Sequence, residues 1–156
     1  MGFFDKVKAM KNTLTGGAAN VYIECDEISF TEPFKVTVRA DIDSSNLIVD
    51  RIYLKIQGNE EVEVPDVDVV YDSDGDEHRR LETVTSVNRT VSLDITVAYK
   101  QELEANQSYE WEVEVELPED APSIYRGHFC QHTYSAFAGL DCFGNDPDSG
   151  WLELPG

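Results

Sequence analysis

The sequence predicts an all-β protein built as an antiparallel β-sandwich, with one short amphipathic helix at its amino terminus. Three observations carry this reading. Tyr109, Trp111, Val113, Val115 and Leu117 alternate with Glu110, Glu112, Glu114 and Glu116 without a break. Successive strand side chains point to opposite faces, so only an extended strand sorts this run into one apolar and one charged face. Further alternating runs, separated by polar turns, follow one another at the spacing of sandwich strands. No helix of ordinary length fits after residue 17.

The elements follow in order. Phe3, Phe4, Val7, Met10 and Leu14 recur at helical spacing, with Lys6, Lys8 and Lys11 supplying charge. Residues 1–17 are therefore expected to be an amphipathic helix that ends at Gly16 and Gly17, and residues 18–156 to be the sandwich. Val21, Ile23 and Cys25 alternate first, before a turn near Glu32 and Pro33. Phe34, Val36, Val38, Ala40 and Ile42 come next, opposite Lys35, Thr37, Arg39 and Asp41. After a polar turn from Asp43 to Asn46, a third strand places Ile48, Ile52, Leu54 and Ile56 on one side, with Arg51 and Lys55 on the other. Val62 and Val64 begin a further strand. Pro65 interrupts it, the mark of an edge or a bend, and Val67 and Val69 resume it.

Tyr71 to Glu77 reads as a polar loop, Leu81 to Val87 as a weaker strand, and Val91, Leu93, Ile95, Val97 and Tyr99 as a strong one. The acidic ladder follows, then a turn from Pro118 to Pro122. A long strand from His128 to Leu140 and a short one from Trp151 to Leu154 close the chain. Roughly eight or nine short strands with polar turns imply an immunoglobulin-like architecture.

A chain of 156 residues buries roughly 70% of its unfolded surface as one domain, enough to dispense with disulfides or a structural metal. Cys25, Cys130 and Cys142 are too few and odd in number for a disulfide framework. With no secretory apolar segment, the expected home is a reducing cytoplasm. No run reaches the ~18 apolar residues of a membrane span. The chain has 12 Lys and Arg against 31 Asp and Glu, a formal charge of -19. Such a surface repels nucleic acid and anionic lipid. It suits a salt-loaded cytoplasm or a basic partner. The amino-terminal helix is the one net-basic part, so membrane contact is expected to be weak and peripheral at most, with Phe3 and Phe4 as the wedge.

No catalytic arrangement is legible: there is no Gly-x-Ser-x-Gly elbow, no phosphate loop and no His-Glu-x-x-His. The expectation is a protein that is not an enzyme and needs no cofactor. His128, Cys130 and His132 alternate on one strand face, but the outer two lie about 13 Å apart on an extended strand, too far to share one zinc. Tyr134, Ala136, Ala138 and Leu140 continue that face, which makes it the core side. Asp72, Asp74 and Asp76 begin like a calcium loop, yet Glu77 stands where glycine is required. A looser calcium site would use Asp141, Asn145, Asp146 and Asp148 around Pro147; the same residues also build turns by bonding their own backbone. Two partner-binding surfaces are candidates: Phe3, Phe4 and Val7 on the helix, and Glu110, Glu112, Glu114 and Glu116 on the ladder. Lys35, Arg39, Arg51 and Lys55 are expected to offset the ladder across strands.

Three segments together resemble a known family. Met1-Gly2-Phe3-Phe4-Asp5-Lys6-Val7, followed by a glycine pair and a strand, resembles the opening of bacterial and archaeal sporulation-control proteins of the arrestin-like superfamily. Leu117-Pro118, then Ala121-Pro122-Ser123-Ile124-Tyr125-Arg126-Gly127 and Tyr134 to Asp141, is similar to the arrestin signature before its long strand. Gly139-Leu140-Asp141 through Asn145-Asp146-Pro147-Asp148 is similar to the acidic turn of the sporulation-control branch. The resemblance implies an arrestin amino-terminal type of sandwich acting as a non-catalytic adaptor or scaffold for protein partners. Members of that family carry a second sandwich, so a carboxy-terminal partner domain is expected outside this sequence. The alternatives are a calcium-binding sandwich module and a salt-adapted structural domain of a larger two-domain protein.

Overall fold

The structure, a computed structural model, describes residues 9–15, 18–71 and 73–156. Among the described residues nine strands run in the order β1 Ala9–Thr15, β2 Ala19–Cys25, β3 Phe34–Ile42, β4 Leu47–Tyr71, β5 Glu77–Leu103, β6 Ser108–Val115, β7 Tyr125–Arg126, β8 Cys130–Cys142 and β9 Leu152–Glu153. They form two antiparallel sheets, one ordered β1-β2-β3-β6 and the other β5-β4-β8-β7, with β9 also on β8. The all-β sandwich expected from the alternation is present. Its core lies between Val21, Ile23, Val36 and Val38 of the first sheet and Ile52, Leu54, Ile56, Ala136, Ala138 and Leu140 of the second, all fully buried. Trp111 is half-buried and packs on this core, stacked beside Tyr109.

The amino-terminal helix needs correction where it is described. Ala9–Thr15 is a strand paired with β2, from Ala9 opposite Cys25 to Thr15 opposite Ala19. Met10 and Leu14, four apart, share a face in either a helix or a strand, so their spacing does not discriminate. The β-branched Thr13 and Thr15 favour the extended form, and the free edge of β2 supplies the partner. Phe3, Phe4 and Val7 lie outside the described residues.

The segments on either side of Gly58 are one strand, not two, and so are those on either side of Asn88. β4 and β5 run 25 and 27 residues and pair with each other from Leu47↔Leu103 to Tyr71↔Glu77. Irregularities reset the side-chain phase along the way. Val49 pairs with Cys142 and Arg51 with Asp141, leaving Asp50 as an extra residue. Val49 consequently takes the buried place expected for Ile48, which is 60% exposed. Val97 is likewise skipped between Ile52↔Ala98 and Tyr53↔Thr96, so Tyr99 turns outward although Leu93 and Ile95 pack on the core. A bulge adds one residue to one strand and inverts every face beyond it.

Candidate protein-binding surfaces

β8 accompanies β4 only as far as Val62↔Cys130. One more bond, from the Glu63 amide to the Phe129 carbonyl at 2.7 Å, closes that side. Beyond it, among the described residues, β4 and β5 continue alone as a two-stranded ribbon that turns near Ser73 and Asp74. Because the Glu63 backbone points to the β8 side, so does every second residue after it, including Pro65. The missing Pro65 amide therefore faces the open edge and removes no bond to β5, which is why β4 passes through the proline unbroken.

The hydrophobic alternation changes phase within this ribbon. Gly58 and Val62 lie on the face that continues the core side, and Val64 follows them. From Val67 onward, Val67, Val69 and Tyr71 lie on the opposite face, and the pairing between Val62 and Tyr71 contains no register shift to turn them back. Val67, Val69 and Tyr71 are 54%, 46% and 67% exposed. The other face of the same stretch carries Asp66 directly opposite Glu82. The stripe is thus patterned for something other than this sandwich's own core. Val67 and Val69 lie in a strand as expected, and the even-to-odd switch across Pro65 and Asp66 is the sequence signal of their change of face.

At the ribbon's root a polar cluster is built into the core side. His132 is fully buried. Its Nδ1 lies 3.0 Å from the Ser123 carbonyl and its Nε2 2.6 Å from the Thr90 hydroxyl. A carbonyl only accepts, so the neutral ring carries its proton on Nδ1 and Nε2 accepts from Thr90. Both nitrogens are engaged, and His128 sits apart in the exposed loop before β8. Tyr134 donates to the Pro122 carbonyl at 2.6 Å, so the Pro122-Ser123 pair is pinned by two core side chains. Gly58 makes this possible: a Cβ there would stand 2.8 Å from both Thr90 and Tyr134. Tyr125 stacks on His132 and donates to Glu60 at 2.7 Å. With that proton committed, the contact between Tyr125 and Cys130 at 3.3 Å has the thiol as donor. Beside this cluster an open hollow of about 310 Å³ is lined by Glu63, Pro65, Thr83, His128 and Phe129.

The acidic ladder lies on the outer face of β6, which among the described residues is an edge strand paired only with β3. Glu110, Glu112 and Glu114 stand opposite Arg39, Thr37 and Lys35; Glu116 follows the strand, also exposed. The compensation is slight. Lys35 reaches Glu112 at 4.0 Å with both side chains well exposed, a pairing of little energetic weight. Arg39 bonds Asp41 at 3.1 Å instead. Arg51 and Lys55 belong to the other sheet, where Arg51 pairs with Asp94 and both lie against the Tyr53 ring. The expectation that they offset the ladder is therefore corrected.

In the acidic turn, Asp146 accepts from the Cys142 amide at 3.1 Å and from Tyr53 at 3.3 Å. Asp148 accepts from the Gly150 amide at 2.8 Å. Tyr53 lies across Gly139, a place closed to any Cβ. Burial, then Asp146, pushes the Tyr53 hydroxyl up to about 12. Asp141 and Asn145 border the same turn, and among the described residues no three His, Cys, Asp or Glu side chains converge to hold a metal ion. Nor, among the described residues, is any helix long and apolar enough to cross a membrane.

No protein-family model matches the sequence, and no curated protein matches it. Among solved structures, the sporulation control protein Spo0M from Bacillus subtilis aligns with a TM-score of 0.53 and 17% sequence identity, over 95% of this chain and 49% of that one. The chain thus spans about half the length of that protein. At this level of identity the likeness is one of fold. The chain shares the fold of this sporulation control protein.

Proposed function

We propose that the chain is a non-catalytic, protein-binding scaffold module of the cytoplasm, acting in bacterial regulation and engaging its partner through the β4–β5 ribbon. One observation carries the reading: Val67, Val69 and Tyr71 form an apolar stripe turned away from the protein's own core. A two-stranded ribbon is marginal in water unless a third strand or another surface covers it, and contiguous exposed apolar surface marks interaction sites. The fold shared with a sporulation control protein supports the regulatory setting. The ladder of Glu110, Glu112, Glu114 and Glu116 offers a second surface, one suited to a basic segment of a protein partner.

The test is site-specific photo-cross-linking in the source cells. A cross-linker in place of Tyr71 should yield discrete adducts that the same group at Ile48, an exposed site on the sandwich body, does not. Adducts identical from both positions, or none from Tyr71, would contradict the proposal.

A further inference from the structure

Resting on the reading of the glutamate ladder as a partner surface, we infer that the edge of β6 takes up an extended segment of a protein partner as an added antiparallel strand. That segment carries lysine or arginine at every second position and apolar residues between. Three features of the edge specify this occupant.

The first is the backbone. The Ile42 amide donates to the Gln107 carbonyl at 2.9 Å, and the register runs on from Asp41↔Ser108 to Phe34↔Val115 without a shift. Backbone groups alternate in direction along a strand. Those of Tyr109, Trp111 and Val113 therefore face β3, and those of Glu110, Glu112 and Glu114 face the open edge. Among the described residues no strand meets them there. A strand laid along this edge gains ladder hydrogen bonds, the recognition mode in which backbone supplies affinity and alternate side chains supply specificity.

The second feature is an unfinished inner face. Val36, Val38 and Ala40 of β3 are wholly withdrawn from water, whereas their β6 partners Val113, Trp111 and Tyr109 are only half-buried. β5 is the edge of the other sheet and lies beside β6. Its Leu93 and Ile95 are half-buried too. An apolar seam thus runs between the two sheets on this side, and the apolar residues of an added strand extend the core into it beside Trp111.

The third feature, on the outer face, selects charge. Residues of the added strand opposite Glu110, Glu112 and Glu114 lie on the outer face with them. Ser108 to Leu117 contain no Lys or Arg. Of the two cations across β3, Arg39 is committed to Asp41 at 3.1 Å and to the Tyr22 ring. Lys35 reaches Glu112 alone, at 4.0 Å. A cation opposite each glutamate is favourable, and a like charge there is not. A second copy of this chain, paired β6 to β6, sets one glutamate ladder against the other and is disfavoured for that reason.

The experiment uses end-capped, fluorescent seven-residue peptides of one composition, read by anisotropy at about 0.15 M salt, where long-range attraction is largely screened. A peptide alternating lysine and valine should bind at least about 10-fold more tightly than one with its valines in a block, a difference of roughly 1.4 kcal/mol. In the antiparallel pair the lysine amides face β6 and the valine amides face solvent. N-methylating the lysines should therefore abolish binding, and N-methylating the valines should leave it. Glu112→Gln with Glu114→Gln should weaken the alternating peptide at least about 10-fold, whereas Val67→Lys with Val69→Lys in the ribbon should not. Hydrogen exchange at the Glu110, Glu112 and Glu114 amides should slow at least about 10-fold at saturation, which fixes the place independently of any variant. Equal binding of the alternating and blocked peptides, or equal effects of the two methylations, overturns the inference. If no peptide binds while Tyr71 still cross-links a partner, strand addition at β6 is wrong and the scaffold reading survives.

Discussion

The sandwich body and the ribbon are made from the same two strands, yet they obey different rules. Within the body, β4 is flanked by β5 and β8, and its inward residues Ile52, Leu54 and Ile56 are wholly withdrawn from water. Past Glu63 the same strand has, among the described residues, one neighbour and no covering layer, and Val67 and Val69 are about half exposed. The chemistry of the side chains scarcely changes. What changes is the number of surfaces that meet them. Valine in the body is a stability device; valine in the ribbon is an unsatisfied face.

The largest test of this contrast is a pair of truncations. Leu54→Ala should cost about 2–5 kcal/mol, since it removes transfer energy and leaves a cavity in a packed core. Val69→Ala should stay within about 0.5 kcal/mol, as expected for a surface site. Urea unfolding monitored at Trp111 compares them directly. Comparable losses would mean that the ribbon is integral to the body and that the division is false.

How far these two regions were legible from sequence differs for the same reason. Phe34 to Ile42 and Tyr109 to Val115 alternate with no bulge, and each inward and outward residue stands where the pattern puts it. Ile48 and Tyr99 do not, because the extra residues Asp50 and Val97 shift the phase. Nothing in either side chain announces a bulge. Ala9–Thr15 satisfied two periodicities, and pairing with β2 decided between them. The ribbon was harder still, because continuity through Pro65 depends on which way one amide points, a property of the sheet rather than of the residue. The ladder's alternation was plain, but its place on an edge strand was not, and two of its expected counter-ions lie in the other sheet. The acidic turn's hydrogen-bonding to its own backbone was visible in its Asp and Asn content.

A smaller effect sharpens the boundary between the regions. His132 anchors the root of the ribbon through Thr90 and Ser123. Thr90→Val removes the donor to Nε2 and leaves a buried acceptor without a partner, at about 1–3 kcal/mol. A loss below about 0.5 kcal/mol in the same urea assay would show that this hydrogen bond does not secure the junction.

The smallest effect concerns acid. Burial alone would raise the Asp41 carboxyl, but bonds from Ser108 and Arg39, the Arg39 charge and Tyr22 outweigh it and hold it below the usual carboxylate range. A depressed folded value means that Asp41 stabilises the fold above its unfolded pKa of about 3.9 and ceases to do so as pH falls through the folded value. Asp41→Asn should therefore flatten the stability curve slightly below about pH 4. An unchanged acid limb would remove Asp41 from the account.

Hydrogen exchange measured residue by residue tests the central division most directly. Amides of Leu54, Ile56, Ala136 and Ala138 should exchange only through global unfolding, while those of Asp66, Asp68 and Val70, which point to β5 in the ribbon, should exchange through local opening, orders of magnitude faster. Uniform protection from Leu54 to Tyr71 would contradict the account, because the ribbon would then need no third strand.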